Sequence, residues 1–340
     1  MWTWTEEKLN LLLTTPSQAL IEDMSQIKGD IMILGAGGKM GPTLAILAKR
    51  AADAAGSEKR IIAVSRFSDK KVADLLHEHQ VETVSMDLSG KDTLNALPDA
   101  ANIIYMAGRK FGTQGNESET WFMNASLPTL VSRRFRDASM VVFSTGNIFP
   151  MVSASSGGCT DETPPAPIGE YAMSSLARER IFEFAAREFG SKVLIYRLNY
   201  AVDLHYGVLY DLAAKILHDE PVSLRTPCFN CVWQGYANEI AIRSLRLADS
   251  PAGHLNVTGP EIVSVRQAAI MLGQHLGHAP IFESEESDQS LLSNAGRCFA
   301  TFGYPSVSVN TLIQWQAEWL LAGGHTLNKP THFDEQQGNY

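Results

Sequence analysis

Two kinds of apolar spacing alternate along the chain. Ile31 to Leu34, Ile61 to Ser65, Thr83 to Asp87, Ala101 to Gly108, Met140 to Ser144 and Lys192 to Leu198 are short, largely apolar runs bounded by polar or turn-forming residues. Runs of this length predict buried strands. Between them apolar residues recur at helical spacing, over Leu44 to Ala48, Lys70 to His79, Trp121 to Val131 and Glu170 to Phe189. Strand and helix alternate at least five times, which predicts an α/β fold with a parallel sheet covered on both faces. Residues 5–28, ahead of the first strand, predict two helices broken near Thr14-Thr15-Pro16. Leu9, Leu12 and Leu13 form one apolar face; Ala19, Leu20, Met24 and Ile27 form another. This extension is expected on the outside of the sheet or at a subunit contact. Beyond residue 204 the pattern is less regular. It predicts helices over His205 to Leu217, Tyr236 to Ala248, Ser264 to Gly277 and Asn310 to Leu321, with a short strand at His254 to Thr258.

The stretch Asp30 to Arg50 organises the rest. The first strand runs into glycines at Gly35, Gly37, Gly38 and Gly41, and a helix follows. One glycine permits the tight turn, a second lets the backbone approach a pyrophosphate, and a third lets helix and strand pack closely. The helix then aims its free N–H groups at the phosphates. Gly35, Gly37, Gly38, Lys39, Met40 and Gly41 are therefore expected to hold a dinucleotide; the other reading is a strand-to-helix turn without a ligand. A Walker-type loop fits worse, because no Gly-Lys-Ser/Thr follows at the required spacing. The domains expected are an N-terminal helical extension (1–28), a doubly wound Rossmann-type domain (29–203, with 229–258 returning to it) and a smaller, mostly helical substrate lobe (204–228 and 259–327). A polar tail, 328–340, is expected to form an arm.

The second strand ends in Ser65-Arg66-Phe67 rather than in an acidic residue. An arginine suits a 2′-phosphate, which favours NADP over NAD, with Lys39 as a second cation. Arg66 stacking on the adenine, or lying in solvent, is the other reading. Asp87 and Leu88 are expected at the adenine amino group, unless Asp87 simply ends its strand in a turn. Ala107 and Gly108 are small enough for a cofactor to lie against the backbone.

Composition narrows the class. Lys and Arg total 28 against 37 for Asp and Glu, a net charge of −9, with no basic cluster. That argues against nucleic-acid binding. No apolar run approaches the roughly 20 residues that span a bilayer, and the start lacks the pattern of a signal peptide. Four cysteines point to a reduced, cytoplasmic protein. Cys228 and Cys231 have CxxC spacing but no second pair or nearby histidine pair, so buried thiols are expected and no metal.

Taken together, these motifs resemble the extended short-chain dehydrogenase/reductase family, the NAD(P)-dependent sugar epimerase and dehydratase group, over roughly residues 30–325. Gly35, Gly38 and Gly41 have its GxxGxxG spacing. Ala107-Gly-Arg-Lys110-Phe-Gly112 looks like the loop in which UDP-galactose 4-epimerase places a lysine beside the cofactor. Asn124 sits at the helix asparagine, Ser144 to Phe149 resembles SSxxVYG, Tyr171 to Ser175 occupies YxxxK, and His254 to Gly259 resembles the closing strand. The resemblance implies that Tyr171 exchanges a proton with a substrate hydroxyl or carbonyl while Thr145 holds the same oxygen. It places Asn124 at the cofactor, and Lys110, Asn147, Asn199, His205 and Trp233 at the substrate. It also implies a homodimer built on helices near 117–136 and 170–189. For His205, an ordinary loop histidine is the competing reading.

Two departures matter. The YxxxK lysine, which lowers the tyrosine pKa in the family, is Ser175 here. Lys110 supplies the charge instead, or the reaction needs less activation of Tyr171, or the protein binds cofactor without turnover. Arg178 lies nearly two helical turns beyond Tyr171, too far along for a direct substitute. Second, the segment matching RDxxHVxD contains no arginine between Arg225 and Arg243, where the family binds a diphosphate. Trp233 and Gln234 suit a smaller ligand. The expected function is an NAD(P)-dependent oxidoreductase or epimerase acting on a small sugar, sugar acid or related compound. The alternative is a catalytically degenerate NADP-binding sensor or regulatory protein.

Overall fold

Seven parallel strands form the central sheet of the computed structural model, which describes residues 4–90, 92–110 and 112–338. They are β1 (Ile31–Leu34), β2 (Ile61–Ser65), β3 (Glu82–Ser85), β4 (Asn102–Tyr105), β5 (Ser139–Thr145), β6 (Lys192–Leu198) and β7 (Gly253–Val257). The spatial order is β7-β6-β5-β4-β1-β2-β3. Ile31 pairs in parallel with Ile61 on one side and Asn102 on the other. The winding therefore reverses between β1 and β4, and such a switch point opens a crevice at the carboxyl ends of the strands.

The strand runs are apolar because both faces are covered. Ile31 and Ile33 of β1 face one core with α2 (Gln18–Gln26), α3 (Gly41–Ala54) and α9 (Gln234–Arg243). Met32 and Leu34 face the other, with α6 (Leu127–Arg134) and α7 (Gly169–Phe189). A separate apolar core holds the C-terminal lobe, with α8 (Val208–Leu217), α10 (Val265–Leu276) and α12 (Val309–Leu321). Strand β7 lies in the main sheet beside β6.

The N-terminal extension serves both cores. Thr5 and Ser17 cap α1 (Glu6–Thr14) and α2 through their hydroxyls, and Pro16 separates the two helices. Leu20, Met24 and Ile27 pack on the sheet, whereas Trp4, Leu9 and Leu13 are buried in the C-terminal lobe. Helix α11 (Gly296–Phe302) was not expected; it is two turns long and has no side-chain cap to announce it.

Candidate active site

The glycine turn is built as its spacing requires. Gly35 has φ +93°, and a Cβ there would lie 2.6 Å from the Ala107 nitrogen. At Gly41 a Cβ would lie 2.2 Å from the Ala36 carbonyl oxygen. Gly38 differs: its Cβ position meets only the Gly35 carbonyl oxygen, at 3.6 Å, so that face is open. Helix α3 begins here with Met40 at the cap and no side-chain hydrogen bond to its first N–H groups. The Gly41 amide donates to the Gly38 carbonyl at 3.3 Å and Pro42 carries no N–H, so it is the open backbone cradle at the positive end of the helix dipole that fits a pyrophosphate.

This turn forms one wall of a cleft of about 770 Å³, a size suited to a cofactor with a small ligand. Of the residues named from the sequence, the cleft gathers Gly35, Gly37, Gly38, Lys39, Met40, Gly108, Lys110, Thr145, Asn147, Tyr171, Asn199 and His205. Gly41 and Ala107 lie just behind the wall as packing partners of the turn. Arg66, Asp87 and Leu88 stand outside the lining. Arg66 is exposed at the end of β2, and Asp87 accepts hydrogen bonds from the Ser89 amide (2.9 Å) and hydroxyl (2.6 Å). Asp69, which the sequence reading did not single out, does line the cleft, at the cap of helix α4 (Lys70–Glu78). An acidic residue shortly after β2 was the available signal. Trp233 is buried in the C-terminal core, edge-on to Trp315 at 5.6 Å, and does not reach the cleft.

Thr145 ends β5, with its side chain buried; its hydroxyl donates to the Asn147 side-chain carbonyl at 2.8 Å. Tyr171 stands in the first turn of α7, half-buried on the cleft wall. The Lys110 ammonium lies 5.9 Å from the centre of the Tyr171 ring and donates to the Thr331 carbonyl at 3.4 Å. Loss of hydration lowers the Lys110 pKa to about 8, against the attraction of Asp211. Lys39 donates to the Ala201 carbonyl (3.1 Å), stands 3.8 Å from Asp203 and lies over the Tyr206 ring at 4.3 Å. Burial lowers its pKa more than Asp203 raises it. Burial also raises the Asp203 pKa, but Lys39 and His205 outweigh it and leave the group below the usual carboxylate range. His205 sits between Asp203 and Glu6, its Nε2 2.9 Å from the Glu6 carboxylate. Burial lowers its pKa, but the two carboxylates raise it further.

Asn124 is fully buried in a π-helical turn, Phe122–Ser126, between α5 (Glu117–Trp121) and α6. Such turns reposition a side chain within a helix. Its Oδ1 accepts from the Arg109 amide (2.9 Å) and from Arg178 (2.7 Å), and its Nδ2 donates to the Arg109 carbonyl (2.9 Å) and the Ser174 hydroxyl (3.0 Å). Arg178 also donates to the Phe143 carbonyl at 2.9 Å and lines the cleft. A Cβ at Gly108 would fall 2.4 Å from its guanidinium. Thus Arg178 brings a buried cation to the cleft wall from the helix that carries Tyr171. Ser175 itself is buried, and its hydroxyl has no hydrogen-bond partner among the described residues.

Away from the cleft, Glu179, Glu183 and His254 lie close together. Arg197 and Ser144 occupy Glu179, while Arg180 and His254 engage Glu183, so internal ion pairing accounts for the cluster. All four cysteines are free thiols, with Cys231 buried and Cys228 partly so. No helix among the described residues is long and apolar enough to cross a membrane.

A cleft at the switch point of a parallel sheet, entered by the uncapped end of a helix, is the architecture of a dinucleotide-dependent α/β enzyme. Over residues 31–224, more than half its length, the chain matches the NAD dependent epimerase/dehydratase family, and it belongs to that family. Solved structures share the fold at low identity. The UDP-glucuronic acid 4-epimerase of Bacillus cereus, in complex with NAD, superposes with a TM-score of 0.71 at 15% identity, covering 86% of this chain and 98% of that one. MoeE5 with UDP-glucose and NAD gives 0.69 at 17% identity, covering 87% and 99%. The Bordetella bronchiseptica enzyme WbmG with NAD and UDP gives 0.69 at 15% identity, covering 88% and 96%. Comparison with curated proteins gave no significant match.

Proposed function

We propose that the protein is an NAD(P)-dependent oxidoreductase or epimerase of a small sugar, sugar acid or related hydroxy or carbonyl compound. One observation carries the reading: Tyr171, Thr145 and Lys110 share a single cleft with the open glycine turn. Gly35, Gly37, Gly38 and the first turn of α3 would hold the pyrophosphate of the cofactor. When bound, the nicotinamide supplies a hydride acceptor or donor. Tyr171 gives or takes the proton of the reacting oxygen, and Thr145 fixes that oxygen. Lys110, 5.9 Å from the centre of the Tyr171 ring, places a cation beside the proton-exchanging residue, a role that its family position and the serine at 175 both leave open. Replacement of Tyr171 by Phe should lower turnover on the order of 10²-fold or more while cofactor binding persists. Unchanged turnover of an identified substrate would sink the assignment.

We take NAD as the cofactor, against the NADP preference expected from Arg66. Asp69 stands on the cleft wall and suits a free ribose hydroxyl, whereas Arg66 is exposed outside it. NAD is also present in the structures of the Bacillus cereus epimerase, MoeE5 and WbmG. Calorimetric titration with NADH and NADPH tests this. Preference for NADPH that disappears in Arg66→Ala would restore the NADP reading. A homodimer is part of the same proposal: Phe122, Leu130, Met173, Phe184 and Phe189, on the helices expected at the subunit contact, are exposed.

A further inference from the structure

Arg178 is a buried cation without an anion. It is 6% exposed, yet no carboxylate pairs with it among the described residues. Its hydrogen-bond partners are neutral: Nη1 donates to the Phe143 carbonyl (2.9 Å) and Nη2 to Asn124 Oδ1 (2.7 Å). The acid beside it in sequence, Glu179, is taken by Arg197 (2.8 Å) and Ser144 (2.5 Å). Each terminal nitrogen of a guanidinium carries a second N–H, and the Arg178 Nε is buried with no hydrogen-bond partner among the described residues. Buried charges are ordinarily paired, because lost hydration without a partner is costly. An arginine left this way on the wall of a cleft fits a ligand that brings acceptors to it.

Two neighbours leave room for it. Helical side chains lean toward the N-terminus of their helix, so the stem of Arg178 runs back over the turn that holds Ser175. Ser175 is small, buried and unpartnered at its hydroxyl. Gly108 leaves open the space of a Cβ, which would fall 2.4 Å from the Arg178 Nη2. The position along the sheet then indicates which part of the cofactor is met. Adjacent strands run β5-β4-β1-β2. The glycine turn follows β1, and Asp69 stands beyond β2, on the side that suits the adenosine. Gly108 follows β4 and Phe143 belongs to β5, on the opposite side. Neighbouring strands lie about 4.8 Å apart. A cofactor whose pyrophosphate rests at β1 therefore crosses the end of β4 with its second ribose, before the nicotinamide reaches Thr145 and Tyr171.

We infer that Arg178 binds the ribose that carries the nicotinamide, its N–H groups donating to the adjacent hydroxyls of that ring. The inference rests on the functional reading above and adds a contact to it. A guanidinium is a planar fork of donors that stays charged, a match for two neighbouring hydroxyls. Hydrogen bonds from a charged donor are also roughly twice as strong as neutral ones. Asn124 and the Phe143 carbonyl hold the fork in place before the cofactor arrives. Arg178 takes no part in proton transfer, which stays with Tyr171.

Calorimetric titration of the wild type and of Arg178→Gln with NAD, ADP-ribose and ADP tests this. A wild type that does not bind NAD removes the underlying functional reading, an outcome distinct from failure of the inference. ADP-ribose carries the second ribose without the nicotinamide, and ADP lacks that ribose. We expect Arg178→Gln to bind NAD and ADP-ribose about ten-fold or more weakly, the scale of one charge-assisted contact, and ADP within about two-fold of the wild type. Arg178→Lys keeps the charge without the fork and should recover part of the ADP-ribose affinity. Should Arg178→Gln not fold, Arg178→Lys carries the comparison, with ADP-ribose about three-fold or more weaker than in the wild type and ADP unchanged. An equal loss for ADP would mean that the guanidinium acts on the pyrophosphate. A loss for none of the three ligands would mean that it only braces Asn124 and β5. Either result overturns the inference.

Discussion

Gly38 and Gly41 look alike in sequence, yet a methyl group would do different things at each. At Gly41 it would strike the Ala36 backbone at 2.2 Å, so Gly41→Ala is expected to disturb the turn itself. At Gly38 it would project into open space beside the cleft. Gly38→Ala should therefore fold with a melting temperature close to that of the wild type and bind NAD at least about ten-fold more weakly, since the lost approach is to the ligand and not to the protein. Melting and titration of the same preparation check both halves. Lys110 carries a pH prediction. Its folded pKa, about 8, lies below the ordinary lysine value of 10.5 because burial strips its hydration. Between those values the unfolded chain holds a proton that the folded chain has released, so this group's contribution to stability rises with pH across that window. Activity that needs the charged amine should move the other way and fall as pH passes about 8. Lys110→Met should flatten both dependences, measured by denaturant unfolding and by a pH–rate profile. Little of this was visible in the sequence. The glycine spacing was legible because it is local, whereas the openness at Gly38 depends on which atoms come near from elsewhere in the fold.

At the scale of elements, the pairing of α7 with the Asn124 turn governs the site. Asn124 joins the Arg109 backbone, Ser174 and Arg178, which are separated from it by 15, 50 and 54 positions in the chain. Asn124→Ala would leave the Arg109 amide and part of the Arg178 guanidinium buried without a partner. We expect a loss on the order of 2 kcal/mol or more in denaturant unfolding, with a further loss of cofactor affinity. Asn124→Asp keeps an acceptor for Arg178 and should recover part of it. The strands, and most helices to within a few residues, were legible because apolar period and turn chemistry are local signals. The π-turn was not, because nothing in Phe122 to Ser126 departs from helical spacing until Asn124 finds its distant partners. Arg178 was passed over for the same reason: helical spacing placed it correctly on the face of Tyr171, but the reach of its guanidinium to the cleft wall depends on Gly108 having no side chain. Trp233 shows the converse error. An aromatic residue at a family substrate position reads as a ligand contact, but its ring is taken up by the C-terminal core.

For the whole molecule, the exposed apolar residues on α7 and the π-turn–α6 segment supply the prediction about assembly. Phe184 and Met173 are 53% and 47% exposed, high values for such side chains in a monomer. Sedimentation should find a dimer, and Met173→Lys with Phe184→Glu should shift it to monomer without loss of helical content; a monomeric wild type would refute the arrangement. The C-terminal segment was the part of the chain least legible in advance, since its polar composition resembles that of a free arm and the contacts that tie it down, among them buried Phe333 and the Thr331–Asp211 hydrogen bonds, are made to distant parts of the chain.

The N-terminal extension fastens what the rest of the chain keeps apart. Trp4, Leu9 and Leu13 are anchored in one core, and Leu20, Met24 and Ile27 in the other, with Pro16 between the two helices. Neither lobe can melt without exposing part of a segment whose other end is still buried. Heating should therefore produce a single calorimetric transition rather than a staircase, and removal of residues 1–27 should uncouple it into two.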